Sequence, residues 1–141
     1  MENTAGENKR NHLLMIQNVI DRMGRNSFSL KEWAIGIMIA IFAFAGANAH
    51  KAVIITLVPL IAFWFLDAYY LMLERKFRAL YENVRLKKEI DIDFNMNFNS
   101  IKLNMNDIKK YCFFSILLSK SEMPFYVVCI ITSLIIYFVN F

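Results

Sequence analysis

The chain has 141 residues, is 57% hydrophobic and 20% charged, and carries a net charge of +4 at pH 7. Its apolar residues gather in three stretches, 33–49, 52–73 and 123–141, close to the roughly 17–25 residues a helix needs to cross a bilayer. That distribution argues against an ordinary soluble enzyme and excludes a second core of useful size, leaving one membrane domain with a modest cytoplasmic part.

The positions of the basic residues set a topology. Five precede the first stretch (Lys9, Arg10, Arg22, Arg25, Lys31), Lys51 alone lies between the first and second, and ten lie between the second and third. The positive-inside rule then predicts a cytoplasmic N-terminus, an outer turn at 48–51, a cytoplasmic 74–122 segment and a C-terminus at the outer face. Seven acids accompany the ten bases of 74–122, so attraction to an anionic leaflet accounts for the excess without a nucleic acid.

Residues 1–9 are polar and predicted to be disordered. From 10 to 28 the sequence predicts an amphipathic surface helix, with Leu13, Ile16, Val19, Ile20 and Met23 on one face. It would lie in the headgroup region or pack on a neighbouring subunit. Gly24 and Asn26 suit its end. Ser29 and Glu32 then match a capping box, with Phe28 and Trp33 placed as a hydrophobic staple. A transmembrane helical hairpin is expected over 29–73. Ala47-Asn48-Ala49 resembles a signal-peptide cleavage site, but the polar region before it is far too long for one. Pro59 predicts a kink in the second span.

In the first span Gly36, Ala40, Ala43 and Ala47 recur at steps of four, three and four. A face of small residues permits close helix approach, either within one subunit or as an intersubunit or pore-lining seam. The second span ends in an aromatic belt, Phe63, Trp64, Phe65, Tyr69 and Tyr70, around Asp67. Leu73, Phe77, Leu80, Tyr81 and Val84 keep the helical period past the membrane, so the second helix is predicted to extend to about 88. At 92 the period drops to two. Folding at Asn99-Ser100 keeps Phe94, Met96, Phe98, Ile101, Leu103 and Met105 on one face, which predicts a small cytoplasmic β-hairpin. The 109–120 stretch reads as interfacial, and Pro124 opens a third transmembrane helix over 123–141.

The chain holds no phosphate-binding glycine loop, no zinc motif and no nucleophile–base arrangement, so no catalytic residues, metal or cofactor are predicted. Cys112 and Cys129 have no metal or redox spacing. His12 and His50 fall on opposite sides of the predicted membrane.

Asp67 is the sharpest single residue, because an ionisable group at membrane depth faces a cavity, a partner or the interface. It would form an acidic ring for cations in an oligomer, or else a structural carboxylate paired with Arg75 or a tyrosine hydroxyl. Thr132 and Ser133 would bond to the preceding helical turn or face water in a pore. Phe94 and Phe98 beside Lys87, Lys88 and Lys102 match the aromatic-plus-basic pattern of single-strand binders, though alternating aromatics also suit a hairpin's buried face. Arg75, Lys76, Arg78, Arg85, Lys109 and Lys110 complete the candidate regulatory or nucleic-acid contacts.

Several stretches together resemble a known group. They are HLLMIQNVI at 12–20 with Arg22 and Met23, NSFSLKEW at 26–33, and FWFLDAYYL at 63–71 with Glu74, Arg75, Phe77, Arg78, Leu80 and Tyr81. Asp93-Phe94, and Ser119-Lys120 ahead of Phe125-Tyr126, fit less specifically. They resemble a family of small bacterial membrane proteins, among them the membrane channel effectors of Hailong antiphage systems, over most of 12–126. The third-span region departs most from that pattern.

The resemblance implies an oligomeric ion channel, a tetramer, in the bacterial inner membrane, where the outer C-terminus expected from the charge pattern is periplasmic. It also implies a partner nucleotidyltransferase whose single-stranded DNA product holds the channel closed until infection removes it. The alternative is a non-conducting membrane anchor or scaffold that recruits a soluble partner enzyme.

Overall fold

The structure is a computed structural model that describes residues 5–45, 49–101 and 111–139. It is mainly helical. Helix α1 runs over Ala5–Ala45, α2 over Ala49–Leu86, the five-residue α3 over Phe113–Leu117 and α4 over Met123–Val139. Two single 3-10 turns, Glu89–Asp91 and Phe98–Ser100, interrupt the connection after α2.

At 1.5 Å per residue, α1 and α2 are each about 60 Å long, and they pack antiparallel along their lengths. The reason lies in the heptad-like spacing. On α1, Ile16, Ile20, Met23, Ser27 and Ala34 are buried at steps of three, four or seven. On α2, Val53, Thr56, Leu60, Asp67, Leu80 and Val84 form the answering stripe. Such spacing keeps one seam facing a partner helix over many turns.

That seam corrects the expected division at 28–29. No helix starts at Ser29: α1 passes straight through Gly24, Asn26 and the capping-box residues. Ser29 and Glu32 are exposed, and so are Phe28 and Trp33, at 64% and 65%, so no staple forms. A mid-helix glycine costs only about 1 kcal/mol, which continuous burial of the stripe outweighs. Residues 5–9, expected to be disordered, form the first turn of α1. The apolar face of the amphipathic segment packs on the extension of α2, with Ile16, Ile20, Leu80 and Val84 forming a core bordered by Leu13, Phe77 and Tyr81.

After α2 the chain turns back, and Ile92, Met96 and Ile101 close over that same core. The expected β-hairpin is not supported: no strand occurs among the described residues, and Leu103 and Met105 of its second arm lie outside them. The cause is local. The Asp93 side chain accepts from the Asn95 N–H, Asn95 from the Asn97 N–H and Asn97 from the Asn99 N–H, at 3.3, 2.8 and 2.9 Å. The backbone donors along one edge of the expected strand are thus taken by side chains two residues earlier. Phe94 adopts a left-handed conformation, with φ 51°.

Helix α4 packs on α2 beside the more apolar half of the α1–α2 pair. Tyr126 and Cys129 join Ala34 and Leu60 in a second core. Short α3 tucks Ile116 and Leu117 against Ala68, and the Trp64 indole N–H donates to the Leu117 carbonyl at 3.2 Å.

Helices α1 and α2 are long and apolar enough to cross a membrane, and α4 is a shorter apolar helix of 17 residues. Their outer faces are bare: Phe44 is 91% exposed, Val58 69% and Phe138 73%. A contiguous apolar exterior of this kind needs lipid or protein to cover it.

Candidate functional site

Three helices meet at one buried polar cluster. From α1 come Ser27 and Lys31, one turn apart on the seam. Asp67 comes from α2. Glu122, immediately before α4, and Tyr126, in its first turn, come from the third partner. Asp67 is 0% and Glu122 2% exposed. Lys31 Nζ lies 2.5 Å from Asp67 Oδ2 and 3.1 Å from Glu122 Oε2. The Ser27 hydroxyl donates to Asp67 Oδ1, and the Tyr126 hydroxyl donates to Asp67 Oδ2 at 3.0 Å. Lys31 also donates to Ser27 Oγ at 3.2 Å.

Asp67 is therefore held by two hydroxyls and one ammonium. Buried charges persist when paired and hydrogen-bonded in this way. The site as a whole still holds two carboxyl groups and one cation. Burial, followed by the neighbouring Asp67 carboxylate, pushes the Glu122 carboxyl up to about 7, against the opposing pull of Lys31. Such a group exchanges its proton near neutral pH.

The residues singled out from sequence are scattered relative to this cluster. Asp67 belongs to it and pairs with a tyrosine hydroxyl, as one reading expected, but the partner is Tyr126; its ion pair is with Lys31, and Arg75 makes no part of it. Asp67 is covered by its own chain, so in this conformation it lines no ring.

Gly36, Ala40 and Ala43 lie exposed on the outer side of α1, and a Cβ on Gly36 would meet nothing within 4 Å. Ala47 lies outside the described residues. The small face is thus not used for packing within the chain. Thr132 and Ser133 bond back to the carbonyls of Val128 and Cys129, both at 2.9 Å. Ser133 is buried against Met38, while Thr132 is exposed.

At the far end of the long hairpin the basic residues are largely engaged. Arg78 pairs with Glu74 at 2.7 Å, Arg85 with Glu82 at 2.6 Å and Lys87 with Asp93 at 3.2 Å. The Lys76 ammonium lies 5.6 Å from the centre of the Phe98 ring. Phe98 meets Tyr111 edge-on at 5.3 Å, and Phe94 covers the buried His12 ring at 5.3 Å. Neither His12 ring nitrogen meets a hydrogen-bond partner among the described residues. Arg75 is half-buried and Lys88 exposed. Lys102, Lys109 and Lys110 lie outside the described residues.

Lys9 ties the two helix ends together there. Its ammonium donates to the Lys87 carbonyl at 2.8 Å and its backbone N–H to the Glu89 carboxylate at 3.1 Å. A cation at the C-terminal end of α2 and an anion at the N-terminal end of α1 both complement the helix dipoles.

Ser27, Lys31, Glu122 and Tyr126 were not singled out as a site from sequence. One signal was present: Ser27 and Lys31 sit four residues apart on the apolar stripe of α1, where a lysine needs a partner.

Comparison with family models, with curated proteins and with solved structures found no match. Among the described residues no group of three or more potential metal ligands occurs.

Proposed function

We propose that this chain is an oligomeric channel-forming effector of the bacterial inner membrane that acts in antiphage defence and is gated through its cytoplasmic segment. The observation that carries the reading is the outward, unpacked face of Gly36, Ala40 and Ala43 on an apolar helix long enough to cross a membrane. Small residues on a lipid-exposed helix favour close helix–helix contact. Copies of α1 meeting through that face, four in the tetramer implied by the family resemblance, give a route to a central pathway that a single chain lacks.

In this reading α4 makes the third crossing, with N-terminus cytoplasmic and C-terminus periplasmic. The far end of the α1–α2 hairpin, capped by 87–101, receives the signal. Single-stranded DNA made by a partner nucleotidyltransferase is the proposed ligand that keeps the channel closed. Lys76, Lys88 and Arg75 are its first contacts, because Arg78, Arg85 and Lys87 must first release acidic partners. A ligand shifts gating only through unequal affinity for the closed and open states.

Planar-bilayer recording from purified full-length protein tests this. Discrete conductance steps that the DNA suppresses support it. Silence of the assembled protein, with and without the partner, overturns it.

A second reading draws on the buried cluster of Asp67, Lys31 and Glu122. Both carboxylates at the buried junction are turned inward on their own chain, which suits a non-conducting anchor that recruits a soluble enzyme. Expression in the absence of the partner separates the two: a channel collapses the membrane potential, an anchor leaves it intact.

A further inference from the structure

Two buried carboxyl groups touch one ammonium, whose own side chain is 21% exposed. If both were ionised beside Lys31, the junction would hold one uncompensated negative charge, which costs several kcal/mol in a protein interior. A single proton removes that cost. With a proton on Glu122, its hydroxyl can donate to the adjacent Asp67 carboxylate, and Lys31 with Asp67 remains as a balanced ion pair.

Among the described residues, the polar and charged side chains of the cluster around Glu122 are few. Lys31 and Ser27 stand on α1, Asp67 on α2, and Tyr126 together with the helix N-terminus on α4. Tyr126 already gives its hydroxyl to Asp67, and Ser27 gives its own to the same carboxylate. Neither can neutralise a second negative charge.

We propose that Glu122 and Asp67, bridged by Lys31, form a proton-stabilised latch that pins the start of α4 to the α1–α2 pair and loosens when the proton leaves. The direction is fixed by linkage. The carboxyl is pushed up to about 7 when packed and returns to its ordinary value once the helix start swings into water. Proton binding therefore favours the packed state. The latch is fully set below the ordinary carboxylate range and is released as pH rises through about 7. Its position makes it a hinge: Glu122 is the last residue before α4, so its release frees the helix at one end while Cys129 and Ser133 stay packed. The latch does not depend on whether the assembly conducts ions.

Hydrogen exchange of the amides of 125–130 in full-length protein held in lipid nanodiscs tests it. Protection, corrected for the intrinsic base-catalysed rate, should fall about tenfold between about pH 6 and about pH 8.5. Glu122→Gln, which keeps the shape and offers an N–H to Asp67, should show high protection at both values. Unchanged wild-type protection, or an equal slope in Glu122→Gln, overturns the proposal.

A second measurement needs no variant. Infrared spectra of the wild-type protein should show the carbonyl stretch of a protonated carboxylic acid at about pH 6, lost as pH rises through about 7. Absence of that band at the lower value, or its persistence at about pH 8.5, also overturns the latch.

Discussion

The Tyr126 hydroxyl donates to Asp67 at 3.0 Å while its ring stacks on Trp64, with centroids 5.7 Å apart and planes 14° from parallel. One side chain thus joins α4 to α2 through a polar tip and an apolar body. Tyr126→Phe keeps the stack and removes the hydrogen bond. A hydrogen bond to a charged group is worth about 1.5–3 kcal/mol, and the loss should fall in that range. Unfolding of the purified protein by graded detergent denaturation measures it. A loss below about 0.5 kcal/mol would show that the hydroxyl is not engaged.

Lys31 and Asp67 are not equivalent, although they touch. Lys31→Met strands two carboxyl groups and should cost about 3–5 kcal/mol at neutral pH. Asp67→Asn leaves Lys31 paired with Glu122, and its single oxygen still accepts from one of the two hydroxyls, which reach different oxygens of Asp67, so it should cost less. The same denaturation experiment ranks them. If Asp67→Asn proves the more damaging, Lys31 does not bridge the pair.

Gly36 separates packing within a chain from packing between chains. Since nothing lies within 4 Å of where its Cβ would be, Gly36→Leu should leave the single chain as stable as before, or up to about 1 kcal/mol more stable through helix propensity. Assembly through that face should be lost. Crosslinking in detergent reads the outcome, and undiminished oligomers would place the subunit contact elsewhere.

Asp93 gives a weaker pH effect at the other end of the molecule. The Asn95 backbone N–H, and then the Lys87 side chain, hold its carboxyl below the usual carboxylate value. A depressed group stabilises the fold above its unfolded value and loses that contribution as pH falls through the depressed one. Amide protection at 95–99 should therefore drop on going from about pH 5 to below about pH 3. Asp93→Asn keeps an acceptor for Asn95 and should abolish this drop. A wild-type segment indifferent to acid would contradict the assignment.

Much of the helical framework was readable in the residues. The period of Leu73, Phe77, Leu80 and Val84 predicted a helix continuing beyond the apolar stretch, and α2 ends at Leu86. Ser29 and Glu32 misled because a local cap signal competes with a seam that only a partner helix makes visible. Ile20, Ser27 and Ala34 keep their seven-residue step straight through the expected break. The 92–106 alternation misled for the opposite reason: the apolar pattern was right for a strand, but the intervening Asn side chains take up the backbone donors. Asp67 stood out as a charge in an apolar run. Its partners did not, because Lys31 and Glu122 are 91 residues apart and no local spacing links them.

The side-chain-to-backbone ladder of 93–99 has a protective consequence. Phe94, Met96 and Phe98 alternating with asparagines is the composition from which cross-β stacks assemble. With the N–H groups of Asn95, Asn97 and Asn99 spent on side chains two residues earlier, one edge of that stretch is closed to a second copy.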